Sequence, residues 1–279
     1  MIPLMNTAAP KTVPPPSMIV FTDLDGTLLD HDSYSHAAAL PALNKLRALQ
    51  VPVVLASSKT AAEIAVLRHE LDFDHVPAIV ENGAGVLPAG TEAPQQSTDY
   101  TKLRTALARL PIDLRSGYQG FGDWGDEGVA HHTGLPMEQA KLATQRQFSE
   151  PGLWTGPEHL KQEFLDALAQ SGIAAREGGR FLTLSFGGTK AAQMGAILAQ
   201  YETPFSVALG DAPNDVEMLE TADLGVVIAN PHRAPLPQLA QETQGKILRT
   251  ELAGPSGWNQ AMLEIIAQRH LEERIPTNG

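Results

Sequence analysis

The chain has 279 residues and a net charge of −12, with no run of Lys and Arg long enough to track a phosphate backbone, so nucleic acid and anionic membranes are not expected partners. A hydrophobic content of 43% suits a soluble folded protein, and the longest apolar runs fall far short of the ~20 residues of a membrane helix. The absence of Cys excludes disulfides and thiol chemistry and fits a cytoplasmic location.

In chain order, residues 1–17 contain three successive prolines and lack the basic and apolar regions of a secretory signal; they read as a disordered tail. "MIVFT" (18–22) reads as a buried strand, 35–49 as a helix despite Pro41, and 51–57 as a second buried strand. A helix over 60–71 opens with a capping box, Thr60 and Glu63, and 77–82 is a third strand. After Val86 the pattern changes. A Gly/Pro-rich polar stretch leads to a helix near 99–109, a Gly-rich loop over 117–128, a helix near 136–148, a short strand around Leu153 and a helix over 157–171. A hairpin follows, turning on Gly178 and Gly179 in a type I′ turn. The first pattern then returns: a helix from Thr189, a strand over 205–210, a short helix over 214–221, a strand over 224–229, a helix near 235–243, a strand over 246–248 and a helix from about 255. The fold class is therefore α/β. A doubly wound parallel sheet (18–86 and 187–279) is interrupted by an inserted α+β module (87–186).

Ligands of such sheets bind at the carboxyl ends of the strands. There the chain places Asp23 and Asp25 after the first strand, Ser57 and Ser58 after the second, and Asp211, Asn214 and Asp215 after the strand at 205–210, with Lys190 opening the helix before it. Several carboxylates at one edge repel each other unless a hard cation joins them, and a few oxygen ligands are what Mg²⁺ accepts. Asp23 is placed as a nucleophile toward phosphorus and Asp25 as general acid and base. Gly26 permits a sharp turn, and the Thr27 hydroxyl is expected to hold Asp25. Asp23, the Asp25 carbonyl and Asp211 are the expected metal ligands, with Asp215 on the metal's waters; Gly26, Ser57, Ser58 and Lys190 form the phosphate cradle. Plainer roles are open to several residues: Ser57 as a helix cap, Lys59 as a solvated cation, Asn82-Gly83 as a turn, and Arg146 as an i,i+4 partner of Glu150. His131 and His132 have no metal-ligand spacing to other His or Cys.

"DLDGT" at 23–27, the Ser after the second strand, the Lys opening a helix and "GDAPND" at 210–215 resemble the four motifs of the haloacid dehalogenase superfamily. The insertion resembles its C2-type cap, as in Cof-like hydrolases. The segments "ASSKT", "ENGA", "GFGD", "TGL", "LATQRQFSEP" and "GGRFLTLSFGGTK" are similar to mannosyl-3-phosphoglycerate phosphatases. That resemblance implies a Mg²⁺-dependent phosphatase acting through an aspartyl-phosphate on a 2-glycosyl-3-phosphoglycerate, a small-molecule phosphate ester. The family's third motif usually reads Asp-Lys-Gly where this chain has Thr189-Lys190-Ala191, and Trp124 after "GFGD" is another departure. The carboxylate implied for the substrate needs cationic or N–H partners, for which Lys59, Asn82, Arg146, Arg180, Gly187 and Gly188 are the candidates. A broader sugar-phosphate phosphatase, a phosphosugar mutase and a non-enzymatic phosphoacceptor are the competing readings; the oligomeric state and the sugar stay open.

Overall fold

The computed structural model describes residues 16–91, 97–178 and 180–269; the tail expected over residues 1–15 and the Gly179 half of the hairpin turn lie outside them. Eleven strands are present among the described residues: β1 Met18–Thr22, β2 Val53–Leu55, β3 Ala78–Val80, β4 Gly85–Leu87, β5 Tyr118–Gly120, β6 Ser149–Trp154, β7 Ala174–Gly178, β8 Phe181–Ser185, β9 Phe205–Gly210, β10 Leu224–Ala229 and β11 Ile247–Ala253. Five of them form a parallel sheet in the order β11-β10-β9-β1-β2. A parallel bridge from Ala56 to Ile79 brings β3 alongside β2, and β4 pairs antiparallel with β3. The chain starts at β1, moves out to β2 and β3, and returns on the other side through β9. The order thus reverses at β1, where ligands of open α/β sheets bind. Thr22 faces Leu209 in the register, so Asp23 and Asp211 leave the sheet side by side.

The central strands read as continuous apolar runs because helices cover both faces. Val20, Phe21, Val54, Val207, Leu209 and Val226 are all buried, and Trp258 of the helix Ser256–Gln268 is buried with them. The segment between β4 and the helix Lys190–Gln200 carries its own antiparallel sheet, β5-β6-β8-β7. Two further apolar clusters lie there, one around Leu103, Tyr118, Phe164 and Leu184, and one around Phe121, Val129 and Ala140.

Several elements differ from expectation for identifiable reasons. The Gly-rich stretch 117–128 is β5 followed by the helix Phe121–Thr133, which Asp123 starts by accepting the Gly120 N–H at 2.9 Å; Gly125, at φ 64°, interrupts it. The helix expected over 136–148 spans only Met137–Ala143. Beyond it the N–H groups of Gln147, Phe148 and Ser149 turn to the buried Glu81 carboxylate, at 2.8, 3.2 and 2.7 Å. The helix expected near 235–243 is a 3₁₀ turn, Ala240–Gln244; Pro235 and Pro237 have no N–H to give a helix.

Glu81 also fixes the inserted segment to the sheet. Arg146 Nη2 lies 3.2 Å from its carboxylate, with both side chains almost wholly buried, and Ser149 Oγ donates to it at 2.6 Å. Arg146 Nη1 donates to the Ser58 carbonyl at 3.3 Å, and Thr60 Oγ1 to that of Leu142 at 2.9 Å. Removing one partner of a buried pair strands the other's charge, so Glu81→Ala should lower the unfolding free energy by about 3–5 kcal/mol. Urea denaturation measures this, and a loss below about 1 kcal/mol would mean that the pair is effectively solvated.

Candidate active site

Lys190 is the centre of the site. It is the first residue of the helix Lys190–Gln200, whose N-cap Thr189 accepts the Ala192 N–H through its hydroxyl at 3.0 Å. The residue is 2% exposed, and its ammonium donates to Asp23 Oδ1 at 2.6 Å and to Asp215 Oδ1 at 2.7 Å. Asp215 Oδ2 in turn accepts the N–H groups of Asp211 and Ala212, at 3.1 and 3.0 Å. Asp211 accepts from Thr27 Oγ1 and from Asn230 Nδ2, each at 2.8 Å, and Arg233 Nε lies 3.4 Å from its Oδ2.

Asp23, Asp211 and Asp215 are buried and offer three carboxylate oxygens within 4.8 Å of one another. One buried ammonium, with the exposed Arg233 beside Asp211, does not balance three buried carboxylates. Burial first, then Asp215 and Asp211, push the Asp23 carboxyl up to about 8 despite Lys190. Burial weakens the charge of Lys190, but Asp215 and Asp23 outweigh it and hold its pKa above the ordinary value. A divalent cation relieves this imbalance, and an all-oxygen donor set suits a hard one. The residues present therefore fit a metal ion.

Asp25 points elsewhere. Its Oδ2 pairs with Lys59 Nζ at 3.0 Å, and its Oδ1 is buried with no hydrogen-bond partner among the described residues. Burial works against the Lys59 charge, and Asp25 and Glu63 more than offset it, so its pKa is raised. Gly26 has φ +83°, and a Cβ there would come within 2.5 Å of Asn230 Nδ2; only glycine fits the turn. Ser57 is buried, and its hydroxyl accepts the Lys59 N–H at 3.2 Å. Thr60, not Ser57, is the helix cap, with the capping box complete. Ser58 is exposed and uses its carbonyl on Arg146. Asn82, at φ 58°, accepts from Asn214 Nδ2 at 3.0 Å.

Three expectations are corrected by this geometry. The Thr27 hydroxyl holds Asp211, not Asp25, because Asp25 turns to Lys59. Arg146 does not face an open cleft; its donors are spent on Glu81, Ser58 and Ser149, and Glu150 pairs instead with Arg104 and Tyr100. Arg180 is committed at the hairpin to the carbonyls of His132 and Thr133. Gly188 packs on the backbone of Gly83, 2.3 Å from where a Cβ would stand, and its carbonyl accepts from Arg176, while Gly187 donates its N–H to Ser185 Oγ. Gly187 and Gly188 lie where the chain returns to the sheet.

Two supports were not anticipated. Asn230 and Arg233 follow β10 at the same carboxyl edge, so the rule that picks out Asp211 also reaches them. Trp258 Nε1 donates to Thr22 Oγ1 at 2.9 Å, and that hydroxyl to the Asp23 carbonyl at 2.7 Å; this link spans 236 positions and has no local signal.

A family model described as haloacid dehalogenase-like hydrolase matches residues 20–109 and 157–240. A protein of Methanococcoides burtonii named glucosyl-3-phosphoglycerate/mannosyl-3-phosphoglycerate phosphatase is 32% identical over 90% of this chain and 98% of its own. One of the same name from Persephonella marina is 31% identical over 89% and 97%. Among solved structures, a hypothetical protein of Geobacillus kaustophilus superposes with TM-score 0.64 at 18% identity, over 91% of this chain and 98% of its own. A phosphatase of the haloalkanoate superfamily from Bacteroides thetaiotaomicron does so with TM-score 0.58 at 19% identity, over 95% and 99%. At these identities the structural likeness speaks for the fold.

The raised Asp23 carboxyl has a consequence for pH. Its folded-state value, about 8, lies above the unfolded 3.8, so its contribution to metal-free stability is complete at low pH and is lost as pH rises toward the folded value. A bound cation has to displace that proton. Magnesium should therefore bind with release of close to one proton per ion at about pH 7, measured by calorimetry in buffers of different ionisation enthalpy. The melting temperature of the metal-free protein should fall between about pH 5 and 8, and magnesium should remove most of that fall. Binding without proton release would contradict the charge imbalance described.

Proposed function

This chain belongs to the haloacid dehalogenase-like hydrolases, and from that premise we propose that it is a Mg²⁺-dependent phosphatase of 2-glycosyl-3-phosphoglycerates, releasing the glycosylglycerate and phosphate. The observation that carries the chemistry is the cluster of Asp23, Lys190, Asp211 and Asp215 at the point where the strand order reverses. The substrate class is supported by the two relatives, whose likeness runs through core and insertion alike.

Asp23 attacks phosphorus through its carboxylate, and the bond to the leaving oxygen breaks as the aspartyl-phosphate forms. The departing oxygen takes its proton from Asp25, which stands outside the carboxylate cluster and whose Oδ1 has no partner among the described residues while Oδ2 rests on Lys59. Asp25 then accepts a proton from water as the water attacks the acyl-phosphate, which regenerates Asp23 and frees phosphate. Lys190 keeps one oxygen of Asp23 in place and, with the hydroxyl of Ser57 and the N–H of Ser58, receives the phosphoryl oxygens, while Gly26, whose own N–H is spent on the Leu29 carbonyl, shapes the loop beneath them. Asp23, the Asp25 carbonyl and Asp211 would hold the magnesium ion, with Asp215 behind them; when bound it neutralises charge between carboxylate and phosphate. Lys59, paired with Asp25, and Asn82, joined to Asn214 beside Asp215, are assigned to the leaving group. With Arg146 and Arg180 committed elsewhere, Lys59 is the cation assigned to the substrate carboxylate, under the inserted module of about residues 87–186, which acts as a cap.

Asp23→Asn should abolish turnover of every phosphate ester while leaving the fold intact by circular dichroism; activity within tenfold of the parent would remove the nucleophile from the scheme. A glycosyl-3-phosphoglycerate should exceed hexose 6-phosphates by at least ~10² in kcat/KM, and Lys59→Met should cut that preference by about 10–100-fold, the worth of one charged hydrogen bond. Equal turnover of hexose phosphates would identify a broad sugar-phosphate phosphatase with the same core chemistry.

A further inference from the structure

Among the described residues, one other group of metal-ligating side chains converges. His31 and Asp32 follow β1, and His232 follows β10, two hundred positions later; one ligand atom from each lies within 4.8 Å of the others. The two imidazoles stack with centroids 4.1 Å apart and planes inclined by 20°, and His232 Nε2 stands 3.9 Å from Asp32 Oδ2. No hydrogen bond joins that last pair at this distance. The three side chains share a space without satisfying each other.

Both carrying loops are held in shape by their own side chains. Asp30 Oδ1 accepts the N–H groups of Asp32 and Ser33 at 3.3 and 2.8 Å and the Ser33 hydroxyl at 2.7 Å. Asn230 Oδ1 accepts the His232 N–H at 2.9 Å while its Nδ2 holds Asp211. Turns closed in this way present the following residues outward in one arrangement. The turns thus bring the three exposed side chains to one place on the surface. Two imidazoles and one carboxylate are a donor set for a late first-row divalent ion, with water filling the open positions; Mg²⁺, which prefers all-oxygen sites, is disfavoured.

We propose that His31, Asp32 and His232 form a second, exposed metal site for a zinc-like divalent ion, distinct from the three buried aspartates, and that the ion clips the loop after β1 to the loop after β10. The clip lies beside the aspartates because Asn230, the anchor of the second loop, also holds Asp211. The proposal does not depend on the phosphatase substrate.

The test is calorimetric titration of the full chain with ZnCl₂ in the presence of saturating Mg²⁺, together with melting temperatures. One zinc equivalent that magnesium does not displace is expected, with a rise in melting temperature. His31→Ala and His232→Ala should each weaken it at least tenfold, and Asp32→Asn several-fold. All three side chains are exposed, so each variant should fold and should hydrolyse p-nitrophenyl phosphate in Mg²⁺ within about twofold of the parent. Zinc binding unchanged in both histidine variants, or a zinc equivalent that magnesium competes away, would overturn the site, the second result placing the ion on the aspartates.

Discussion

A single buried ammonium organises this protein's functional edge. Lys190 touches two carboxylates that arrive on different strands, Asp23 from β1 and Asp215 from the turn after β9. Without a cation between them these groups would repel at a separation where a low-dielectric interior magnifies the repulsion. The chain brings the lysine there by ending its inserted module at two glycines and starting a helix at once, with Thr189 as cap. Gly83 and Gly188 press backbone against backbone at that return. The place where the insertion rejoins the sheet is thus also the place where the charge of the site is balanced, and the balance is incomplete by design of the donor set: three carboxylates, one lysine.

The remainder of the site divides by charge. On one side of β1 the aspartates gather around Lys190, and on the other Asp25 leans to Lys59, whose ammonium also lies 5.3 Å from the centre of the Tyr34 ring. Two carboxylates two residues apart consequently have opposite surroundings, one among acids and one beside a base. Gly26, at φ +83°, turns the chain immediately after Asp25.

Much of this was legible in the sequence, for a definite reason. Asp23, Asp25, Ser57, Lys190, Asp211 and Asp215 all sit within a few residues of a strand or helix end, and the parallel-sheet rule converts such positions into one edge without any knowledge of contacts. What was not legible depended on distant partners. Arg146 read as a substrate cation or a neighbour of Glu150, because nothing local reveals that Glu81, which precedes the insertion, claims it. The same carboxylate draws off the N–H groups of Gln147 and Phe148, which periodicity alone assigned to a helix that in fact ends at Ala143. The Gly-rich stretch 117–128 misled in the other direction: composition suggested a loop, and Asp123, held by Arg104 and Arg115 at 2.6 Å each, made a helix start of it.

Thr189 shows how a departure from the family's usual motif is absorbed. An Asp at that position would cap the helix with a carboxylate and add one more negative group a single residue from Lys190. Threonine supplies the cap through its hydroxyl at 3.0 Å and adds no charge. In a site already carrying three carboxylates to one lysine, and in a chain of net charge −12 that must draw in an anion, that exchange removes a local source of repulsion. The helix entry is the same in outline, the ammonium stays where Asp23 and Asp215 need it, and the electrostatic cost of receiving a phosphate at this edge is lowered.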